Sequence, residues 1–126
     1  MADENALSKI IIGAAIEVHR NLGPGLLESA YEECLAFELP QRGVPFERQK
    51  PIPVTYKGNH LDCGFRCDLL VDGQVLVELK AVDALTSIHD AQVLTYLKLT
   101  GCKLGLLLNF NVLRLRQGIR RLVLNL

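Results

Sequence analysis

The sequence predicts an α/β fold in which helices flank a mixed central sheet. Three observations carry that prediction. Two helical segments, residues 5–21 and 26–39, open the chain. Strand-like segments follow, and two of them flank Asp72-Gly73, a strong short-range hairpin signal. A third helical segment, residues 84–100, then separates residues 75–80 from the apolar run at 104–110. A helical crossover of that kind makes the two strands it joins parallel.

In the first helix, Ile11, Ala15, Val18 and Leu22 recur at helical spacing. Leu22-Gly23-Pro24-Gly25 breaks the chain, and Pro24 suits the first turn of the second helix. Pro40 and Gly43 end that helix. Residues 44–56 hold three prolines, so they are irregular or lie at a sheet edge. Lys57-Gly58-Asn59 makes a turn. Residues 61–70 alternate as a strand, with Leu61, Cys63, Phe65, Cys67 and Leu69 on one face that reads as core. The third helix ends at Gly101 and is expected to bury Leu85, Ile88, Val93, Leu94 and Leu97. His89, Gln92 and Tyr96 stand at i, i+3 and i+7 and form a polar stripe consistent with a lined cleft. Residues 104–110 read as a strand buried on both faces, and the tail at 113–126 adds a final strand or strand pair. Residues 1–126 are expected to form one domain with a real core.

Apolar residues make up 49% of the chain, which argues against disorder. No apolar run is long enough to span a bilayer, and Met-Ala-Asp-Glu-Asn lacks the basic start of a signal peptide, so the expected location is cytoplasmic. Cys34, Cys63, Cys67 and Cys102 contain no Cys-x-x-Cys pair. Reduced thiols are expected, and a zinc site built with His60 is disfavoured. The 14 Lys and Arg balance the 14 Asp and Glu, which is not the footprint of a protein that grips nucleic acid over a broad surface. The basic residues concentrate late, at Arg114, Arg116, Arg120 and Arg121, with Lys98 and Lys103 before them. They read either as a solvated surface or as a phosphate-contacting patch.

The chemistry centres on Asp68 and, ten residues on, Glu78-Leu79-Lys80. Charged groups on an apolar strand are costly to bury unless they are paired or bind a metal. Hairpin parity decides whether they meet. A two-residue Asp72-Gly73 loop pairs Asp68 with Val77 and turns it away from Glu78. A three-residue loop reverses the parity. With Val71-Asp72-Gly73 as the loop, Asp68 lies diagonal to Glu78; with Asp72-Gly73-Gln74, directly opposite. An odd loop is expected, gathering Asp68, Glu78 and Lys80 on one face. Two carboxylates that close repel unless a cation lies between them, and oxygen-only ligation favours Mg²⁺ or Mn²⁺.

With Asp…Glu-x-Lys on the central hairpin of an αβββαβ order, the chain resembles the PD-(D/E)XK nuclease superfamily. Gly25-Leu26-Leu27-Glu28-Ser29-Ala30-Tyr31 matches the signature of its GxxExxY branch, and Ala91-Gln92-Val93-Leu94-Thr95-Tyr96 and Leu106-Leu107-Leu108-Asn109-Phe110 resemble further segments of it. Arg66-Cys67-Asp68 departs from the Pro-Asp form of the first acid. The resemblance implies a restriction-endonuclease-like core and a divalent-metal-dependent phosphodiesterase acting on nucleic acid, DNA ahead of RNA. It implies that Asp68, Glu78, the Leu79 carbonyl and Glu28 hold the metal, and that Lys80 handles water or phosphate charge. Gln92 and Tyr96 resemble a Gln-x-x-x-Tyr motif that holds DNA or the active site. Arg66 and His89 are further candidates for substrate contact. No membrane partner is expected, and a homodimer would let a small nuclease span a duplex. The competing expectation is a catalytically silent nuclease-fold module that binds nucleic acid or serves as an oligomeric scaffold.

Overall fold

The computed structural model describes residues 2–126. Helix α1 (Glu4–Leu22) is capped by Asp3, whose side chain accepts the Ala6 N–H at 2.8 Å. Its apolar stripe, Leu7, Ile11, Ala14, Ala15 and Val18, is buried. Helix α2 (Glu28–Gln41) begins two residues later than the sequence suggests and continues through Pro40. The late start has a local cause: the Leu26 N–H donates to the Tyr31 hydroxyl, which holds residues before the helix out of helical geometry. Pro40 lacks the N–H that would bond to the Ala36 carbonyl, and its ring crowds that carbonyl, so the helix stops one residue later at Gln41.

Five strands form one sheet in the order β1-β4-β5-β6-β7. These are β1 (Phe46–Pro51), β4 (Arg66–Val71), β5 (Val75–Lys80), β6 (Leu104–Asn109) and β7 (Ile119–Val123). Only β5 and β6 run parallel, joined by α3 (Ser87–Thr100), and the other neighbours are antiparallel. The sheet is mixed and flanked by helices, a restriction-endonuclease-like arrangement. Alternation on β5 and β6 divides the core. Val77, Leu79, Leu106 and Leu108 pack with Leu7, Ile11, Tyr31 and Leu35 of α1 and α2. Leu76 and Leu107 pack with Val93, Tyr96 and Leu97 of α3. Both faces of the central strands are thus dry, which explains the unbroken apolar run in β6.

Two expectations need correction. Residues 61–70 are not one strand. They divide into β3 (Asn59–Leu61), which pairs with β2 (Val54–Tyr56) in a separate ribbon, and β4. The break is made by Asp62, whose side chain accepts the Gly64 N–H at 3.0 Å, and by Gly64 at φ 76°. Leu61, Cys63 and Phe65 are therefore exposed, while Cys67 and Leu69 are core. Ile88 is likewise not buried: α3 starts at Ser87 rather than Ala84, and Ile88 in its first turn is 74% exposed. Among the described residues no helix is long and apolar enough to cross a membrane.

Candidate active site

The β4–β5 hairpin pairs Val71 with Val75, Leu70 with Leu76 and Leu69 with Val77. The loop is therefore Asp72-Gly73-Gln74, the odd length that brings Asp68 opposite Glu78. Asp72 and Gly73 turn the chain at φ 51° and 65°. Regular pairing stops at Leu69–Val77. Beyond it, side chains replace the ladder. The Asp68 N–H donates to Glu78 Oε1 at 3.2 Å, and the Leu79 N–H donates to Asp68 Oδ2 at 2.7 Å. The two carboxylates thus occupy a fork between the strands.

Glu78 is buried, 5% exposed. Its carboxyl is pushed up to about 8, first by burial and then by the charge of Asp68. The Asp68 N–H and the charge of Lys80 pull it down, and the charge of Glu28 adds a weaker upward push. A buried acid beside a second acid, with no ion pair to Lys80, is short of positive counter-charge. Two carboxylates and nearby backbone oxygen suit a hard divalent cation. Glu28 itself is exposed on the first turn of α2. Among the described residues no three carboxylate, imidazole or thiol groups stand at metal-cage spacing, so Glu28 does not join Asp68 and Glu78 in a three-ligand cluster.

Behind Asp68 lies a network that the sequence did not reveal. Gln49 on β1 has φ 49°, a left-handed conformation unusual for a non-glycine residue within a strand. Its side chain donates to Asp68 Oδ1 at 3.2 Å and to Glu32 Oε1 at 2.6 Å. Glu32 is buried on α2 and also receives the Arg48 Nε–H at 3.0 Å. Arg48 reaches Glu33 as well, at 2.7 Å, and holds its carboxyl below the usual range. Gln49 sits in a segment that reads as irregular, so nothing local marked it. Glu32 had one available signal, its i+4 spacing from Glu28 on the same helix face.

The remaining candidates have partners of their own. Lys80 is half-buried at the end of β5, where its carbonyl accepts the Phe110 N–H at 2.9 Å. Tyr96 is buried, and its hydroxyl accepts a hydrogen bond from Gln92 at 3.1 Å. Burial, and then the charges of Glu78 and Asp68, raise the Tyr96 pKa. Arg66 is exposed and donates to the Gln49 carbonyl at 3.1 Å, so it braces the kinked edge strand; among the described residues it forms no ion pair. His89 closes the capping box of α3, its Nδ1 accepting the Thr86 N–H at 3.0 Å. His60 pairs with the Thr55 hydroxyl at 3.1 Å in the outlying ribbon. The Cys67 thiol is pushed up to about 12, chiefly by burial.

The Gly-x-x-Glu-x-x-Tyr segment has a physical explanation. Gly25 adopts φ 100°, which a side chain would strain. Glu28 is the first helical residue, where negative charge is favoured. Tyr31 is fully buried, stacks on Phe110 at 4.3 Å between ring centroids, and donates to the Gly23 carbonyl at 2.7 Å. The motif fixes the approach of α2 to the sheet.

Comparison with family models matches residues 5–122 to the PD-(D/E)XK nuclease superfamily. The chain belongs to that superfamily, whose members are nucleases that act on nucleic acid and generally use divalent metals. No characterised protein and no solved structure gave a match.

Proposed function

We propose that the chain, as one domain over residues 1–126, is a divalent-metal-dependent phosphodiesterase that cleaves DNA in preference to RNA in the cytoplasm. The observation that carries this reading is the fork, where Asp68 and Glu78 meet through each other's strand. Asp68 and Glu78, with the Leu79 carbonyl, would hold Mg²⁺ or Mn²⁺; Glu28, exposed at the start of α2, does not stand with them as the third carboxylate that the resemblance implies. When bound, the cation supplies charge that offsets the negative charge growing on the phosphate.

The other steps belong to the chain itself. Lys80 lies two residues beyond Glu78 on the same strand face and orients water or steadies phosphate charge. Gln92 and Tyr96 line the α3 side and position the substrate. His89 and Arg66 act at the margin, since their polar atoms already brace a helix cap and an edge strand. The segment from Gly25 to Tyr31 supports placement in the GxxExxY branch, and the Gln-x-x-x-Tyr pattern supports DNA over RNA. A homodimer would present two forks to one duplex.

The test is cleavage of labelled single- and double-stranded DNA, with matched RNA, in Mg²⁺ or Mn²⁺. Cleavage should vanish in Asp68→Ala and Glu78→Ala. Cleavage that survives both substitutions would assign the activity elsewhere. A silent module is the second reading, favoured because no third ligand stands beside the pair. Calorimetric titration with Mn²⁺ separates the two: a folded protein that takes up no Mn²⁺ at millimolar concentration is the module.

A further inference from the structure

Charge is segregated across α1 in a way that the neutral total conceals. On one flank, the groove between α1 and α2 is rimmed by Glu17, Glu33 and Glu38. On the other, a groove of about 510 Å³ runs between α1 and the loop that follows β6. Its walls carry Arg20 on one side and Arg114 and Arg116 on the other, and no acidic residue lines it. His19, buried in the floor, donates from Nε2 to the Val112 carbonyl at 2.8 Å and ties the two walls together. Arg120 and Arg121 are spoken for, by Asp90 and Asn5. Arg114 and Arg116 form no ion pair among the described residues. Arg20 has only Glu17, at 3.7 Å and well exposed, a pairing of little energetic value.

The groove also lies at the right end of the molecule. Strands β5 and β6 are parallel and finish together, Lys80 opposite Asn109. The Arg114–Arg116 wall begins five residues past Asn109. Gly23, on the groove's rim, is the residue that Tyr31 clamps just before Glu28. Guanidiniums on both walls of an open channel suit a continuous run of phosphates better than a single enclosed anion.

We propose that this groove takes the phosphodiester backbone of DNA and delivers it to the Asp68–Glu78 fork. The inference rests on the nuclease reading and adds to it a defined track. The test is fluorescence anisotropy with labelled duplex and single-stranded DNA, in EDTA, across a salt series. Each phosphate neutralised contributes about 0.9 to the slope of log affinity against log salt on duplex DNA, and about 0.7 on single strands. Loss of three contacts in the triple variant Arg20→Ala, Arg114→Ala, Arg116→Ala should lower the duplex slope by about 2.7, with the urea midpoint unchanged. The triple lysine variant should keep the slope. The pair Lys98→Ala and Lys103→Ala, in and just after the last turn of α3, should leave it unaltered. An unchanged slope in the alanine triple, or a loss that follows Lys98 and Lys103, overturns the groove while metal-dependent cleavage by the wild type leaves the nuclease reading standing. A wild type that neither binds nor cleaves DNA, or binds only phosphatidylglycerol vesicles, overturns both.

Discussion

Replacing Glu78 with Gln should make the metal-free protein more stable, not less, and the gain should depend on pH. The Glu78 carboxyl rises from 4.5 to about 8 on folding. Below 4.5 the group is protonated in both folded and unfolded chains and contributes no difference. Between 4.5 and 8 the folded state holds the proton more tightly, so stability falls as pH rises through that window and levels off above it. At 1.36 kcal/mol per unit, the full fall is about 5 kcal/mol, an upper bound. Gln keeps the volume, and its carbonyl can still accept the Asp68 N–H, so the substitution removes the ionisation and little else. The assay is urea unfolding in EDTA at pH 5, 6.5 and 8. The wild type should lose stability across the series relative to Glu78→Gln, with the difference largest at pH 8. Taking the difference cancels the histidines. Cys67, pushed up to about 12, adds its own loss only above its ordinary value near 9. A wild type as stable as the variant at pH 8, or one that gains stability relative to it on alkalinisation, would refute the claim that a buried, under-compensated acid occupies the fork.

Other outcomes follow from neighbouring geometry. Gln49→Gly accepts the positive φ but takes the donor from the buried Glu32 carboxylate, so it should cost about 1–3 kcal/mol while cleavage drops about 10- to 100-fold as Asp68 loses its brace. Unfolding midpoints and initial rates measured together check both halves. Tyr31→Phe keeps the stack on Phe110 but strands the Gly23 carbonyl, and should cost about 1–3 kcal/mol in urea unfolding. Gly118→Ala should destabilise by about 3 kcal/mol or more, because its added carbon would lie 2.1 Å from the Asn109 carbonyl oxygen. Its thermal midpoint against wild type is the readout.

The central hairpin was legible because side-chain parity follows from loop length, and only an odd loop joins Asp68 to Glu78. The crossover through α3 and the dry β6 strand were legible for similar reasons, as periodicity records which faces are covered. The break at Asp62–Gly64 was hidden because Leu61, Cys63 and Phe65 keep a strand-like alternation through a turn, although their side chains meet solvent. Ile88 was misplaced because the true helix start depends on the Thr86–His89 cap, not on apolar spacing. Gln49 and Glu32 were invisible for a deeper reason. Their link to Asp68 spans an edge strand, a helix and the hairpin, and depends on a backbone conformation that no composition marks.

The central claim is that Asp68 and Glu78 share one divalent cation, and a crystal soaked in Mn²⁺ with anomalous diffraction recorded tests it directly. One strong anomalous peak should lie between the two carboxylates and be absent from Asp68→Ala. A fully soaked crystal with no peak in the fork, or a peak that persists there after Asp68 is removed, would contradict that claim.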